Sequence, residues 1–165
     1  MRLWLIRHAK SSWSDRRLRD FDRPLNGRGR RDGPRMRDWL RGQAFAPSWI
    51  WTSDAARALA TAEFVQGAFP DAQLVLDRRL YGATPETMLG VVRETPAGIE
   101  TMAVVAHNPG ITDCVNLLAG ERVVDNLPTF GIARLQWFGG LDGLDFGRGI
   151  VEMLMAPRLL SRDQS

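Results

Sequence analysis

The sequence contains one cysteine, Cys114, and two histidines, His8 and His107, among its 165 residues. A single cysteine cannot form an internal disulfide, and the apolar neighbours of Cys114 predict a buried, inert thiol. The two histidines and the cysteine lie too far apart for zinc-ligand spacing. The sequence also has no EF-hand loop, Walker phosphate loop or GxSxG elbow. We therefore expect neither a metal nor another cofactor.

Long apolar runs and flexible linkers are also lacking. The first six residues are rich in apolar side chains but reach Arg7 and His8 too early for a secretory signal or a membrane span. We therefore expect a cytoplasmic protein that does not contact a membrane. No linker, repeat or low-complexity tract divides the chain, which predicts a single domain over residues 1–165 and, by default, a monomer.

Positive charge is concentrated near the start of the chain. Residues 1–41 contain twelve arginines, Lys10 and five aspartates, a net charge of +8, whereas the whole chain carries +3. Such a field attracts anions, which include phosphorylated small molecules, phosphoproteins and nucleic acids. A solvated arginine-rich face explains the same charge, so the role of residues 16–41 stays open at this point.

Short apolar runs alternate with helical patterns along the chain. The runs predict strands at 3–6, 49–51, 74–76, 102–106, 132–137 and 150–155. Helices are predicted at 28–41, 54–69 and 85–95, although Gly33 and Pro34 should break or kink the first. The alternation predicts the α/β class: a three-layer sandwich with a mostly parallel central sheet and helices on both faces.

Both histidines directly follow a predicted strand. Ligands of open α/β sheets bind beyond the carboxyl ends of the strands, where Arg7 and His8 follow the first run and His107 follows the fourth. Asn108 suits a helix N-cap and Pro109 the first helical position. His107 and Asn108 would then stand at a helix N-terminus, which favours a bound anion.

A third group is predicted at the same edge of the sheet. Thr52, Ser53 and Asp54 offer helix-capping side chains, and Arg57 follows in the first turn of the next helix. A transferring phosphoryl group needs cations around its oxygens, and an imidazole attacks it only when neutral. Arg7 and Arg57 would serve both needs, because nearby positive charge lowers the pKa of a histidine.

The segment from Arg7 to Trp13 resembles the arginine–histidine signature of the histidine phosphatase (phosphoglycerate mutase-like) superfamily, and the SixA-type phosphohistidine phosphatases are the most similar branch. Further segments resemble that branch in order and spacing, at residues 22–29, 53–63, 80–83, 106–110 and 127–129. The resemblance implies that His8 is the phosphorylated nucleophile and that Arg7, Arg57 and His107 form the phosphate pocket. It also implies an α/β sandwich.

The chain departs from this family in two places. Superfamily members often have glycine where Ala9 stands, although the SixA-like branch tolerates alanine. Large members carry a glutamate acid in a long insertion, for which this chain has no clear equivalent. Glu86 is a weak candidate, because a helix-surface carboxylate explains it equally well. Without a strong acid, phosphoramidates such as phosphohistidine, or activated phosphoesters, fit better than unactivated alcohols as leaving groups.

The sequence therefore predicts a metal-independent phosphatase that acts on a phosphoprotein or a small phosphoester. A phosphomutase of the same superfamily is one alternative, which the lack of a long capping insertion disfavours. A non-catalytic phosphoprotein-binding module is another, which the intact His8 disfavours. Nucleic-acid binding would draw on the basic end and Trp13, but no recognised motif supports it, and we expect no nucleic-acid partner.

Overall fold

The computed structural model describes residues 1–160, in which six strands and four helices are ordered along the chain. The strands are β1 (Arg2–Arg7), β2 (Trp49–Thr52), β3 (Gln73–Leu76), β4 (Thr101–Ala106), β5 (Ile132–Gln136) and β6 (Ile150–Met155). The helices are α1 (Gly27–Arg41), α2 (Ala56–Ala68), α3 (Pro85–Val92) and α4 (Gly110–Ala119). All six predicted strands are present, and α2 and α3 are shorter than predicted.

The strands form one sheet in the order β3-β2-β4-β1-β5-β6. The pairs β3/β2, β2/β4 and β4/β1 are parallel, whereas β5 runs antiparallel to both of its neighbours. The sheet is therefore mixed, which modifies the predicted mostly parallel sheet at β5 alone. Since β5 and β6 are consecutive in the chain, they pair as antiparallel neighbours without a helical crossover.

Alternate residues of the strands supply two cores, one on each face of the sheet. Leu3 and Leu5 pack in the core that contains residues of α3 and α4. Trp4 and Ile6 pack in the core that contains residues of α1 and α2. Side chains on a strand alternate between its faces, and both faces are covered here, which explains why β1 is apolar at consecutive positions. The predicted three-layer sandwich is confirmed.

The expected break in the first helix is absent, since α1 runs without interruption through Gly33 and Pro34. A side chain at position 33 would collide with the Phe64 ring of α2, so glycine permits close packing of the two helices. Met36 and Leu40 are buried on the face of α1 that contacts the sheet. Tertiary packing of this face outweighs the local preferences of Gly33 and Pro34.

The acidic side chains in residues 1–41 pair with arginines of the same segment, which keeps its net charge of +8. Each of its five aspartates pairs with at least one arginine of the same segment, as in the Arg17–Asp15, Arg19–Asp22, Arg23–Asp20, Arg28–Asp32 and Arg41–Asp38 pairs. Trp13 is 70% exposed, and the Arg23 guanidinium lies 3.2 Å from its ring centroid.

Within residues 1–160, no helix combines the length and apolarity needed to cross a membrane.

Candidate active site

The two histidines lie side by side beyond the carboxyl ends of neighbouring parallel strands. Arg7 at the end of β1 is in register with Ala106 at the end of β4. His8 follows the first and His107 the second, and their ring centroids are 5.1 Å apart. The His8 backbone N–H donates to the Ala106 carbonyl at 3.1 Å. The sheet register therefore brings together two side chains that are 99 positions apart in the sequence.

The hydrogen bonds of His8 define its tautomer. Its Nδ1 lies 2.7 Å from the Ala9 carbonyl oxygen, which can only accept, so Nδ1 carries the proton. The Arg57 Nε–H, which can only donate, points at His8 Nε2 at 3.4 Å. The first contact places a proton on Nδ1, and the second, in which a donor faces Nε2, requires a lone pair there and therefore a neutral ring. Of the two ring nitrogens, Nε2 is therefore the one with a lone pair available.

The ring of His8 is held in place by its neighbour in the chain. The Ala9 backbone N–H donates to Thr61 Oγ1 at 2.8 Å, and the Thr61 hydroxyl donates to the Arg57 carbonyl at 2.8 Å. Ala9 is fully buried, and Thr61 and Arg57 both belong to α2. The position of His8 relative to Arg57 is thus fixed through the backbone of α2 as well as through the side-chain contact.

Burial and positive charge keep both imidazoles neutral. Burial lowers the pKa of His8 to about 3, and the charges of His107, Arg57 and Arg7 act in the same direction, while the hydrogen bond to Ala9 opposes them. Burial also lowers the pKa of His107 to about 4, with further lowering from Arg57 and Arg7. Asp20 and Asp54 oppose this second shift. Burial is therefore a larger cause of both shifts than the arginines whose charge the sequence places nearby.

These shifts predict that the fold loses stability as pH falls below 6.5. The unfolded chain protonates both histidines near their ordinary pKa of about 6.5, whereas the folded chain resists protonation until pH 3 to 4. The free energy of unfolding should therefore decrease from pH 6.5 towards pH 4, by up to about 1.4 kcal/mol per pH unit for each histidine. Urea unfolding of wild type and His8→Gln at pH 5 and 7 measures this, and identical pH dependence in the two proteins would contradict it.

Arg57 is buried in the first turn of α2 and has its other nitrogens occupied. Its Nη1 donates to the Asp20 carbonyl at 2.6 Å and its Nη2 to Asp20 Oδ2 at 2.9 Å. Because the Nε–H of Arg57 points at His8 Nε2, all three nitrogens of the guanidinium make a contact. The predicted proximity of Arg57 to the histidines is therefore seen in the structure, and Asp20 fixes its orientation.

Asp20 was not predicted, although it precedes a segment that the sequence singled out. It lies in a single 3₁₀ turn, Asp20–Asp22, between β1 and α1. Beside its bonds to Arg57, its Oδ2 accepts from the Tyr81 hydroxyl at 2.7 Å and its Oδ1 from Arg23 Nη1 at 2.8 Å. The bond from Tyr81, followed by those from Arg57 and Arg23, holds the pKa of Asp20 well below its usual range. Asp20 is therefore an ionised carboxylate at the edge of this cluster.

Arg7 lies within electrostatic range of both imidazoles, whose pKa values it lowers. Its Nη1 donates to the Leu127 carbonyl at 2.9 Å. Its Nε is buried and has no hydrogen-bond partner within residues 1–160. Burial lowers the pKa of Arg7 itself. A half-buried guanidinium with a buried, unused N–H donor is a favourable partner for an anion.

His107 is positioned by Ser53, a second residue whose role the sequence did not reveal. The Ser53 hydroxyl lies 2.8 Å from His107 Nε2 and accepts from the Ala55 backbone N–H at 3.2 Å. Ser53 is fully buried, so this contact is shielded from water. His107 Nδ1 is buried without a partner within the described residues. Ser53 is not the predicted helix cap, because Ala55 is the N-cap of α2.

The predicted cap at Asn108 is wrong. The Asn108–Pro109 peptide bond is cis, Pro109 occupies the N-cap position and α4 begins at Gly110. The Asn108 amide nitrogen donates to Asn126 Oδ1 at 2.6 Å and to the Leu127 carbonyl at 3.3 Å. Because these bonds occupy both side-chain donors, a contribution of Asn108 to anion binding would have to come from its backbone.

The weak candidate Glu86 and the single cysteine lie outside this cluster. Glu86 is exposed in the first turn of α3, where it lines a surface cavity with residues of α4 such as Thr112 and Asp113. Cys114 is buried as predicted, and burial raises the pKa of its thiol to about 12. Among residues 1–160, no group of three or more His, Cys, Asp or Glu side chains is arranged to hold a metal ion.

Comparison with known proteins identifies the family. The family model for the histidine phosphatase superfamily (branch 1) matches residues 3–112. An uncharacterised protein of Mycobacterium tuberculosis is 34% identical over 162 residues, which cover 93% of this chain and 100% of that protein. A structure from Agrobacterium tumefaciens, assigned by name to phosphohistidine phosphatase SixA, is 28% identical with a TM-score of 0.83, covering 94% of this chain and 97% of the other.

A second structure assigned to SixA, from Nakamurella multipartita, is 26% identical with a TM-score of 0.80 and covers 94% of this chain and 95% of its own. The family match includes His8, Arg57 and His107, which converge in the structure, and the structural matches extend over nearly the whole chain. The chain therefore belongs to the histidine phosphatase superfamily, among its proteins of the SixA type.

Proposed function

We propose that this chain is a metal-independent phosphatase that forms a phosphohistidine intermediate on His8 and releases inorganic phosphate. The observation that carries the proposal is the state of His8 Nε2. That nitrogen is neutral, its lone pair is set by the Nδ1 contact with Ala9, and it faces the Arg57 guanidinium. A neutral nucleophile surrounded by cations suits attack on a phosphoryl group, whose negative charge would repel an anionic nucleophile.

The reaction proceeds in two steps in this proposal. His8 Nε2 attacks phosphorus, a bond forms between them, and the bond to the leaving group breaks with its electron pair. Water then attacks phosphorus, the bond to Nε2 breaks, and the pair returns to His8, which keeps its Nδ1 proton throughout. The three equatorial oxygens are stabilised by Arg7 Nε, by Arg57 and by His107 Nδ1, which has no partner within residues 1–160, when the neutral ring carries its proton on that nitrogen. No step draws on a metal ion.

The substrate class follows from the acid–base groups near the pocket. Asp20 is ionised and cannot protonate a leaving group, and Glu86 lies exposed on α3. A leaving group that departs without such help is therefore favoured, as in phosphoramidates and activated phosphoesters. Phosphohistidine on a partner protein is a phosphoramidate. Two structural relatives are assigned by name as phosphohistidine phosphatases. We accordingly propose phosphohistidine in proteins as the substrate.

Phosphate release from a panel of donors tests this function. Purified protein should release phosphate from a protein phosphohistidine and from an aryl phosphate, and a chelator should leave both rates unchanged because arginines supply the positive charge. Binding of the phosphoprotein without release would instead support the non-catalytic module. Transfer of the phosphoryl group to a second substrate rather than to water would support the phosphomutase.

A further inference from the structure

Asp20 places a negative charge beside a pocket that otherwise presents positive groups. Its Oδ2 accepts from both Arg57 Nη2 and the Tyr81 hydroxyl, at 2.9 and 2.7 Å. The Tyr81 ring in turn lies edge-on to His107, with the ring centroids 5.5 Å apart. Phe21, next to Asp20, packs edge-on against Tyr81 at 5.2 Å. These contacts hold the carboxylate in one place next to the reacting groups.

The carboxylate lies on the solvent side of the pocket. The Asp20 side chain is 47% exposed, whereas the side chain of Arg57, which it contacts, is 7% exposed. His8 is buried to a similar extent as Arg57. In-line attack from a buried nucleophile puts the leaving group on the opposite side of phosphorus, towards solvent. The departing atom and the Asp20 carboxylate therefore share the outer side of the pocket.

We propose that Asp20 determines leaving-group specificity: its carboxylate favours substrates whose phosphoryl group is bonded to a nitrogen ring with an N–H on its second nitrogen, and disfavours those whose leaving group departs as an oxyanion. This inference rests on the proposed function of His8. An ionised carboxylate accepts a hydrogen bond from a ring N–H and stabilises its positive charge. The same carboxylate repels the negative charge that develops on a phenolate or alkoxide oxygen. Orientation of Arg57 by Asp20 would affect both kinds of substrate alike.

The chemistry balances without a proton donor on the protein. In a phosphoimidazole whose second nitrogen is protonated, the bond between phosphorus and the first nitrogen breaks, and its electron pair stays on that nitrogen. The ring leaves as neutral imidazole and keeps its N–H, from which Asp20 accepts a hydrogen bond. The phosphoryl group is then on His8 Nε2, and the positive charge has moved from the substrate ring to the His8 ring. An aryl phosphate has no such N–H, so Asp20 offers it no stabilisation.

The test is a ratio of two activities in Asp20→Asn. Asparagine keeps an oxygen that can accept from Arg57 and Tyr81 but removes the charge. We measure kcat/KM at pH 6 for N-phosphoimidazole and for an aryl phosphate. The ratio of the first to the second should fall about tenfold relative to wild type, the size expected for one hydrogen bond to a charged group. The Asp22→Asn variant is the matched control, because Asp22 lies in the same turn and pairs with exposed Arg19; its ratio should equal that of wild type.

The outcomes distinguish failure of this inference from failure of the proposed function. Equal losses on both substrates in Asp20→Asn would overturn the inference and leave Asp20 as a residue that only orients Arg57. The absence of any His8-dependent turnover in wild type would overturn the proposed function and the inference with it. Urea unfolding of both variants shows whether they fold. If Asp20→Asn does not fold, the test is the pH dependence of the same ratio of kcat/KM values in wild type. A ratio that does not rise as falling pH protonates N-phosphoimidazole would overturn the inference.

Discussion

Replacing His8 with alanine is expected to abolish phosphoryl transfer, with a loss of kcat on the order of 10⁴- to 10⁶-fold, as for removal of other catalytic nucleophiles. The variant lacks the nitrogen that we propose forms the covalent bond, and the only other histidine in the sequence, His107, has its Nε2 in contact with Ser53. After brief incubation with a radiolabelled phosphodonor, wild-type protein should carry a label that is stable in base and labile in acid. His8→Ala should carry none.

The His107→Ala variant provides the comparison for this experiment. It removes an imidazole from the same pocket but leaves His8, the proposed nucleophile, so it should turn over slowly and still acquire the label. Label that persists undiminished on His8→Ala would refute the assignment of the nucleophile. Since the replaced ring is buried, both variants should first be compared with wild type by urea unfolding, so that loss of label is not confused with loss of structure.

The central pair of histidines could be predicted from the sequence because two simple rules combine there. Apolar runs before His8 and His107 predict strands, and parallel neighbouring strands present their carboxyl ends at one edge of a sheet. The structure confirms these runs as strands β1 and β4, which are neighbours in the sheet. The direction of β5 could not be predicted in the same way, because an apolar run has the same pattern in either orientation.

Asp20 and Ser53 show what local patterns cannot predict. Asp20 contacts Arg57 across 37 positions and Tyr81 across 61, from a turn that has no periodic pattern. Ser53 was noticed only as a capping residue, because its contact with His107 depends on how two strands are placed in the sheet. The cap predicted at Asn108 is wrong for a related reason. Its amide nitrogen bonds to Asn126, and its amide oxygen accepts from the Thr112 hydroxyl rather than from a backbone N–H of α4. These contacts are set by tertiary structure.

Removal of the Arg57 guanidinium is expected to lower kcat/KM by about 10²- to 10³-fold, the usual effect of losing one preorganised donor to a developing charge. Arg57→Lys should recover little of this loss. A lysine ammonium cannot reproduce the fork that reaches His8 through Nε and Asp20 through Nη1 and Nη2. Arg41→Ala removes one charge from the surface of α1, where Arg41 pairs with Asp38, and should leave the activity unchanged.

The pH profile distinguishes loss of phosphate binding from disturbance of the nucleophile. Arg57 contributes to the lowered pKa of His8, although burial contributes more. Without its charge, His8 should protonate more readily, and its pKa should move part of the way back towards 6.5. The acid limb of kcat/KM should therefore move to higher pH in Arg57→Ala than in wild type. An acid limb at the same pH in both proteins would mean that the Arg57 charge does not help to keep His8 neutral. Full activity of Arg57→Ala at neutral pH would contradict a role of Arg57 in phosphate binding.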